Sequence, residues 1–328
     1  MPLDHTTFPE TSQAVNRRDF PAIMVMEASA IGMIGVIRSL GRSGYPVHAC
    51  SSNANALGLS SNFAAARAVH PDYDDPAFLN WLRNYTREHQ IAVIVPSEGF
   101  LHAIRPAFDE FAPLVPVSDD PSVVYGAMSK SETFDALLGA PRESGVGLNN
   151  PPSLFVDENA PLKGPERLRA LGLPLFIKVD FGHGRRGQDN QVTKADTAEE
   201  TYDAVKRLLG DYTKVLVQGF VPGTKVAADF CIHNGEIIVE SMWEASHENP
   251  HRGGMASLRR VCWRQEIHDD ALKKLRHLNW KGVAMMEYRL DPETGKFYFI
   301  ELNTAIGADF ARNSMPASIS PMCRSVES

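Results

Sequence analysis

The sequence predicts an α/β front half, built on a doubly wound parallel sheet, followed by an antiparallel α+β half. Three observations predict it. From residue 21 to about 125, short apolar runs alternate with amphipathic helical stretches, the spacing of parallel strands joined by crossovers. Beyond that, "KVLVQGFVPG", "KVAADFCIH" and "EIIVESMW" follow one another with only short turns between them. One of those turns is Asn234-Gly235, and Asn-Gly between apolar runs favours a tight hairpin. A length of 328 residues, 43% hydrophobic and 22% charged, suits two or three globular parts with ordinary cores.

The elements follow in order. Residues 1–20 are polar and rich in Thr, Pro and Arg, and are expected to form a mobile tail. "AIMVME" reads as a buried strand, Ile31 to Arg42 as a helix stopped by Gly44, and "PVHAC" as a second strand. "AFLNWLRNYTREHQ" is an amphipathic helix, "IAVIVP" a strand and "FLHAIRPAFDEF" another helix. Next come a loop and helix over "VDENAPLKGPERLRALG", the strand "LPLFIKVD", and the helix "TAEETYDAVKRLLG", capped by Asp196 or Thr197. "DDALKKLRHLNW" is helical, and "GVAMMEYRLD" and "KFYFIELN" form a final hairpin around "PETG". The stretch Ala245 to Arg260 reads as a loop, and the chain ends in a Ser- and Pro-rich segment without pattern.

Several classes are disfavoured. A net charge of −7 argues against a general nucleic-acid binder, which needs a basic face. Cys50, Cys231, Cys262 and Cys323 are scattered, with no metal-ligand spacing, and read as reduced thiols in a cytoplasmic protein. "NRRDF" before an apolar run is like a twin-arginine export signal, but Glu27 interrupts the run and its removal would cost the first strand. No stretch is long and apolar enough to be expected to span a membrane. "EASAIGMIG" lacks the Gly-x-Gly-x-x-Gly spacing of a dinucleotide site, which disfavours an oxidoreductase. Ser97 and Glu98, closing the strand "IAVIVP", are candidates for binding a second substrate at a strand end.

The chemistry concentrates in the second half. Glu287 and Glu301 each end the apolar run of a strand in the last hairpin, and Asn303 lies on the face of Glu301. Across a hairpin Glu287 reaches the same spot. Two buried carboxylates so placed repel unless a cation separates them, and magnesium accepts such oxygen ligands. The bland alternative is a pair of solvated strand carboxylates. Lys178 closes an apolar strand and is followed by Gly182, Gly184 and Gly187, which let backbone N–H groups approach phosphate while the lysine supplies charge. The spacing excludes a Walker A loop. Lys130 precedes a helix one segment earlier, and "LVQGFVPG" is a strand running into a turn whose backbone suits an adenine edge.

Taken in that order, these features resemble the ATP-grasp superfamily, in particular its carboxylate–amine ligase-like members with a carbamoyl-phosphate-synthase-type front domain. The resemblance covers roughly residues 22–307 and is most specific in "MEYRLDPETGKFYFIELN". It implies a Rossmann-like front domain over 21–125, a small ATP-grasp lobe over 126–210, a large lobe over 211–313 and an irregular tail over 314–328. It implies ATP and Mg2+ (or Mn2+). Lys130 and Lys178 would contact phosphates under a lid from Gly182 to Gly187, and Gln218, Gly219, Phe220 and Val221 would line the adenine. Asp229 would meet the ribose or serve as an ordinary strand residue. Glu287, Glu301 and Asn303 would hold metal. The implied reaction makes an acyl phosphate from a small carboxylate for attack by an amine. Small carboxylate and amine substrates are the expected partners, with no nucleic acid or membrane, and a homodimer as the assembly.

Three departures qualify the resemblance. Ala305 stands where many relatives place an arginine two residues after the asparagine, leaving Arg185, Arg186, Arg259 or Arg312 to replace it. Arg185 and Arg186 are taken, with Lys178, as the catalytic cations. Lys225 follows the hinge where an acidic residue is common. The chain also ends soon after the metal hairpin, which implies a truncated or degenerate member. The second reading is therefore a nucleotide-binding relative that keeps the fold without turnover. His247, His251 and Arg252 are candidates for an acceptor carboxylate.

Overall fold

The computed structural model describes residues 20–304 except 148, 181–182, 185–186, 189–191 and 250–253. The expected tails, apart from Phe20, lie outside the described residues, as do Gly182, Arg185, Arg186, His251, Arg252, Ala305 and Arg312. The chain divides into two compact units, Met1–Val95 and Pro96–Ser328.

The first unit holds β1 (Ala22–Val25), α1 (Ile31–Arg42), β2 (Val47–Ser51), β3 (Ala66–Val69), α2 (Phe78–Glu88) and β4 (Ile91–Val95). Its four strands are parallel in the order β3-β2-β1-β4, half of a doubly wound sheet. The apolar run that follows the paired arginines supplies β1, an inner strand in which Met24 and Val25 are fully buried. Gly44, at φ 94°, ends the turn after α1 as its sequence position predicts. Strand β3 has no counterpart in the sequence reading. It is an edge strand with Arg67 and Val69 exposed, so its apolar signal is thin.

The second unit begins with α3 (Glu98–Ala103) and α4 (Phe108–Phe111), where the sequence predicts a single helix. Pro106 has no N–H to continue the helix, and a 3-10 turn over Arg105–Ala107 separates the halves. Then α5 (Pro121–Met128) and α6 (Lys130–Leu138) lead into β5 (Ser153–Asp157), α7 (Glu166–Arg169) and β6 (Leu175–Val179). The two-residue strands β7 (His183–Gly184) and β8 (Gly187–Gln188) pair antiparallel. After β9 (Val192–Ala195), α8 (Ala198–Leu208) starts at Thr197, not Asp196, in a reciprocal capping box with Glu200. With β10 (Lys214–Gly219) these strands build an antiparallel sheet ordered β5-β10-β6-β9. One face, carrying Leu175, Ile177, Val215 and Val217, packs on Leu168 of α7 and on Ala204 and Val205 of α8.

The remaining elements are β11 (Thr224–His233), β12 (Glu236–Asn249), β13 (Met255–Val261), α9 (Gln265–His277), β14 (Gly282–Leu290) and β15 (Phe297–Asn303). They form an antiparallel five-stranded sheet, β13-β12-β11-β14-β15. Asn234 and Gly235 turn between β11 and β12 at φ 51° and 79°, as the hairpin signal requires. The segment 245–260, expected to be a loop, is instead mostly strand: β12 runs to Asn249 and pairs with β13. Its polar residues hid the alternation because this is the sheet edge. One face of the sheet buries Val226, Phe230, Met286, Tyr288 and Phe299 against Ile267, Ala271 and Leu275 of α9.

The other face carries the residues of interest, and a bulge puts two of them there. Glu287 pairs with Glu301 while Tyr288 pairs with Phe299, so β15 has one extra residue, Ile300, at that point. Phe297 and Phe299 belong to the core face. In a straight strand Glu301 would follow them into it; the extra residue turns Glu301 and Asn303 to the opposite side.

Candidate active site

Four elements of the second unit, α3, α6, β6 and β15, bring charged residues to one cavity. Lys130, Lys178, Glu301, Asn303 and Thr304 line it, together with Glu98. Lys130 is the first residue of α6, whose N-cap Ser129 accepts the Glu132 N–H at 3.2 Å. The same helix start is gripped by Asp180, immediately beyond β6. Asp180 accepts the Ser131 N–H at 2.6 Å and the Ser131 hydroxyl at 2.6 Å, and its backbone carbonyl accepts the Lys130 N–H at 3.4 Å. A carboxylate at a helix N-terminus is favoured by the orphan N–H groups there. Here it ties the helix that carries Lys130 to the strand that carries Lys178.

On β6, Leu175, Ile177 and Val179 take the core side by strand alternation, which leaves Lys178 on the opposite face. Its ammonium donates to Gln218 Oε1 at 3.2 Å, and Gln218 Nε2 in turn donates to Ser153 Oγ at 3.2 Å. Burial pushes the Lys178 pKa down, opposed by Glu301 and Glu287 and assisted by the repulsion of Lys130 and Lys225.

Glu287 and Glu301 stand directly opposite each other on β14 and β15. Like charges so paired are destabilising unless compensated. Lysines supply the compensation. Lys225 Nζ lies 3.0 Å from Glu287 Oε1, and Lys130 Nζ lies 3.7 Å from Glu301 Oε2. Burial would raise the Glu301 pKa. The ammonium groups of Lys130, Lys178 and Lys225 and a hydrogen bond from Asn303 outweigh it and hold the carboxyl well below the usual glutamate range. A cation is expected between the carboxylates, and the protein's own lysines already answer part of that demand.

Other expected residues are placed differently. Asp229 is buried on the same sheet face, where its Oδ2 accepts from Ser241 Oγ at 3.2 Å and Trp243 Nε1 at 3.1 Å. Gln218 spends its amide on Lys178 and Ser153. The N–H of Gly219 donates to Pro152 O at 2.8 Å and that of Phe220 to Pro174 O at 3.0 Å. A Cβ on Gly219 would come within 2.1 Å of Leu171 O, so the chain passes too close there for any side chain. Val221 is half-buried beyond the end of β10. Gly184 and Gly187 pair with each other in the β7–β8 ladder. His247 Nδ1 lies 2.6 Å from Ser257 Oγ on the β12–β13 ribbon. Ser97 caps α3 through the Phe100 N–H at 3.1 Å, while its neighbour Glu98 reaches the cavity. Sequence reasoning missed two participants. Thr304 carries no motif signal, and Lys225 was read as a departure when its position on the alternating strand, on the Asp229 side, could have marked it as facing the carboxylates.

Among the described residues no helix is long and apolar enough to cross a membrane, and no group of three or more His, Cys, Asp or Glu side chains is placed to hold a metal by itself. Glu287, Glu301 and Asn303 offer two carboxylates and one amide as oxygen donors. That set suits a hard cation of the magnesium type, which completes its shell with phosphate and water.

Comparison with known proteins fits this geometry. The family model for the carbamoyl-phosphate synthase L chain, ATP binding domain, matches residues 256–317, which include β14, β15 and both carboxylates. A D-alanine–D-alanine ligase from Christiangramia forsetii is 23% identical over 172 residues, 49% of this chain. The match spans only 51% of that ligase, about half its length. Among solved structures, an N5-carboxyaminoimidazole synthetase from Staphylococcus aureus complexed with ADP superposes with a TM-score of 0.62 at 14% identity, over 89% of this chain and 72% of that one. The L-amino acid ligase from Bacillus licheniformis gives a TM-score of 0.61 at 17% identity, over 88% and 67%.

Proposed function

We propose that this chain, which has the ATP-grasp fold, is an ATP-dependent ligase that joins a small carboxylate to an amine. The observation that carries the reading is the cluster of Lys130, Lys178 and Lys225 around the facing carboxylates of Glu287 and Glu301, with a cavity opening on Lys130, Lys178 and Glu301. Lys130 and Lys178 line the cavity together with Glu98 and Glu301. A magnesium-bound polyphosphate, with oxygens for the lysines and a cation for a carboxylate, matches that mixed lining.

In this reading Lys130 and Lys178 hold phosphate oxygens of ATP, and the Gln218 amide keeps the Lys178 ammonium aimed into the cavity. Asp180 fixes the distance between the two lysines by gripping the start of α6. Glu301, Asn303 and Glu287 are the residues that would hold a divalent cation, which when bound neutralises charge on the transferring phosphoryl group. A substrate carboxylate oxygen then attacks the γ-phosphorus, the bond to the β-phosphate oxygen breaks, and ADP leaves. The amine nitrogen attacks the carbonyl carbon of the resulting acyl phosphate. Inorganic phosphate departs with the C–O bond pair, and the nitrogen loses a proton to water. Neither step needs a protein nucleophile. The chain supplies position and charge.

The experiment is ADP release, with magnesium, across a panel of amino acids and small acids. Turnover with at least one carboxylate–amine pair is expected, and the absence of any magnesium-dependent nucleotide binding sinks the reading. The alternative, a binding module without turnover, is favoured by Ala305 in place of an arginine. Ala305→Arg separates the two. A large gain in turnover marks an impaired enzyme, and unchanged inactivity with intact ATP binding marks a binding module.

A further inference from the structure

Lys225 lies at the start of β11, on the sheet face that carries the carboxylates. Its ammonium sits 3.0 Å from Glu287 Oε1, and the two side chains are only 12% and 10% exposed. The residue opposite Glu287 on β11 is Ala227, whose small side chain leaves room for the lysine stem to reach across from two positions away. The entry to the strand is fixed by Gly223, at φ 121°, where a Cβ would come within 2.1 Å of Leu290 O. The Arg289 guanidinium also donates to Gly223 O at 3.1 Å. The lysine therefore enters β11 at one level against β14.

A largely buried lysine–glutamate pair of this kind pays a desolvation cost on both ions, and an apolar pair of similar volume is often as stable. Stability alone gives no reason for it. Its second effect is on Glu287 as a ligand. Glu287 faces Glu301 on one neighbouring strand and the Lys225 ammonium from the other, so one of its oxygens is committed to a cation the protein itself provides.

We infer that the Lys225 ammonium stands where a divalent cation on Glu287 would otherwise lie, so that the site binds a single divalent ion with its nucleotide, held from the Glu301 and Asn303 side, which lines the cavity. The inference rests on the nucleotide-and-cation reading above. A second divalent ion on Glu287 would meet a like charge on the same carboxylate, with little water to screen it. Lys225 thus sets the metal count of the site.

The test counts Mn2+ bound to the full chain, by electron paramagnetic resonance, at saturating non-hydrolysable ATP analogue. One ion per chain is expected for the wild type and for Lys225→Arg, and two for Lys225→Met. Two ions in the wild type overturn the inference and leave the nucleotide reading standing. One ion in a folded Lys225→Met, with a melting curve matching wild type, also overturns it. No bound Mn2+ in the wild type refutes the nucleotide-and-cation reading itself, and the inference falls with it. Should Lys225→Met fail to fold, the wild-type count decides: one sustains the inference, two overturns it.

Discussion

The five-stranded sheet has a buried lysine paired with a carboxylate on each of its faces, and the two pairs are built differently. On the α9 side, Lys274 is completely buried and donates to Asn149 Oδ1 at 2.9 Å and to Asp270 one helical turn away. Tyr288 donates its hydroxyl to the same Asp270 at 2.8 Å. That cluster has one ammonium, one carboxylate and neutral partners, and it is closed in by Phe299 and Tyr288. On the other face, Lys225 and Glu287 belong to a larger group of lysines and glutamates, of which Lys130, Lys178, Glu98 and Glu301 line a cavity. Balanced and sealed polar groups specify packing. Open ones, lined by charges of both signs, can take up a ligand.

The sharpest way to break this comparison is to remove one cation from each cluster. Lys178→Met should lower nucleotide turnover by about 10²–10³-fold, the usual loss for a charge aimed at a reacting group, with little change in melting temperature. A fall in stability as large as that of the opposite-face variant would abolish the distinction. Lys274→Met should destabilise the protein by roughly 3 kcal/mol in urea denaturation, because Asp270 and Tyr288 lose their cation. The folded fraction should keep its nucleotide affinity.

A smaller effect tests whether the open cluster is held in place by its surroundings. Asp180→Ala removes the carboxylate that caps α6 and should cost about 1 kcal/mol of stability. It should also raise KM for nucleotide several-fold with kcat nearly unchanged, since Lys130 is displaced and not lost. The smallest effect is on acid stability. The Glu301 pKa is depressed in the folded protein, so its contribution is complete above the ordinary value of 4.5 and is lost as pH falls through the lower folded value. Urea midpoints of wild type and Glu301→Gln should therefore converge on going from about pH 5.5 to about pH 3. Midpoints whose separation stays constant would show that the lysines do not act on this carboxylate.

The contrast between the faces also explains what the amino-acid order could reveal. Strands with strong alternation or a full apolar run, such as β1, β6, β11 and β14, announce themselves, and so does the pairing of Glu287 with Glu301 through a short turn. Polar edge strands do not: β3, β9 and β13 carry exposed residues on at least one side and little apolar signal, whereas the apolar edge strands β4 and β15 are legible. Local pattern could put Lys130 and Lys178 on a helix start and a strand end. It could not put them in one cavity with Glu301, because that depends on how helix, small sheet and large sheet pack, and on Asp180 reaching from one element to another. Lys225 shows the same limit. A lysine in an apolar strand is visible, but its partner lies on the next strand of the sheet, more than sixty residues away.

The extra residue at Ile300 has a consequence for how this protein can change. Downstream of it, which side chains meet oil and which meet the ligand is decided by counting and not by chemical character. Shortening "FYFIELN" by that one isoleucine would leave every acidic group present while sending Glu301 and Asn303 inward among Phe299 and Tyr288, and Leu302 outward. Point substitutions in this strand are graded in their harm; a change of length is not. The last strand works as a ratchet with one tooth, and the placement of Glu301 and Asn303 depends on that tooth.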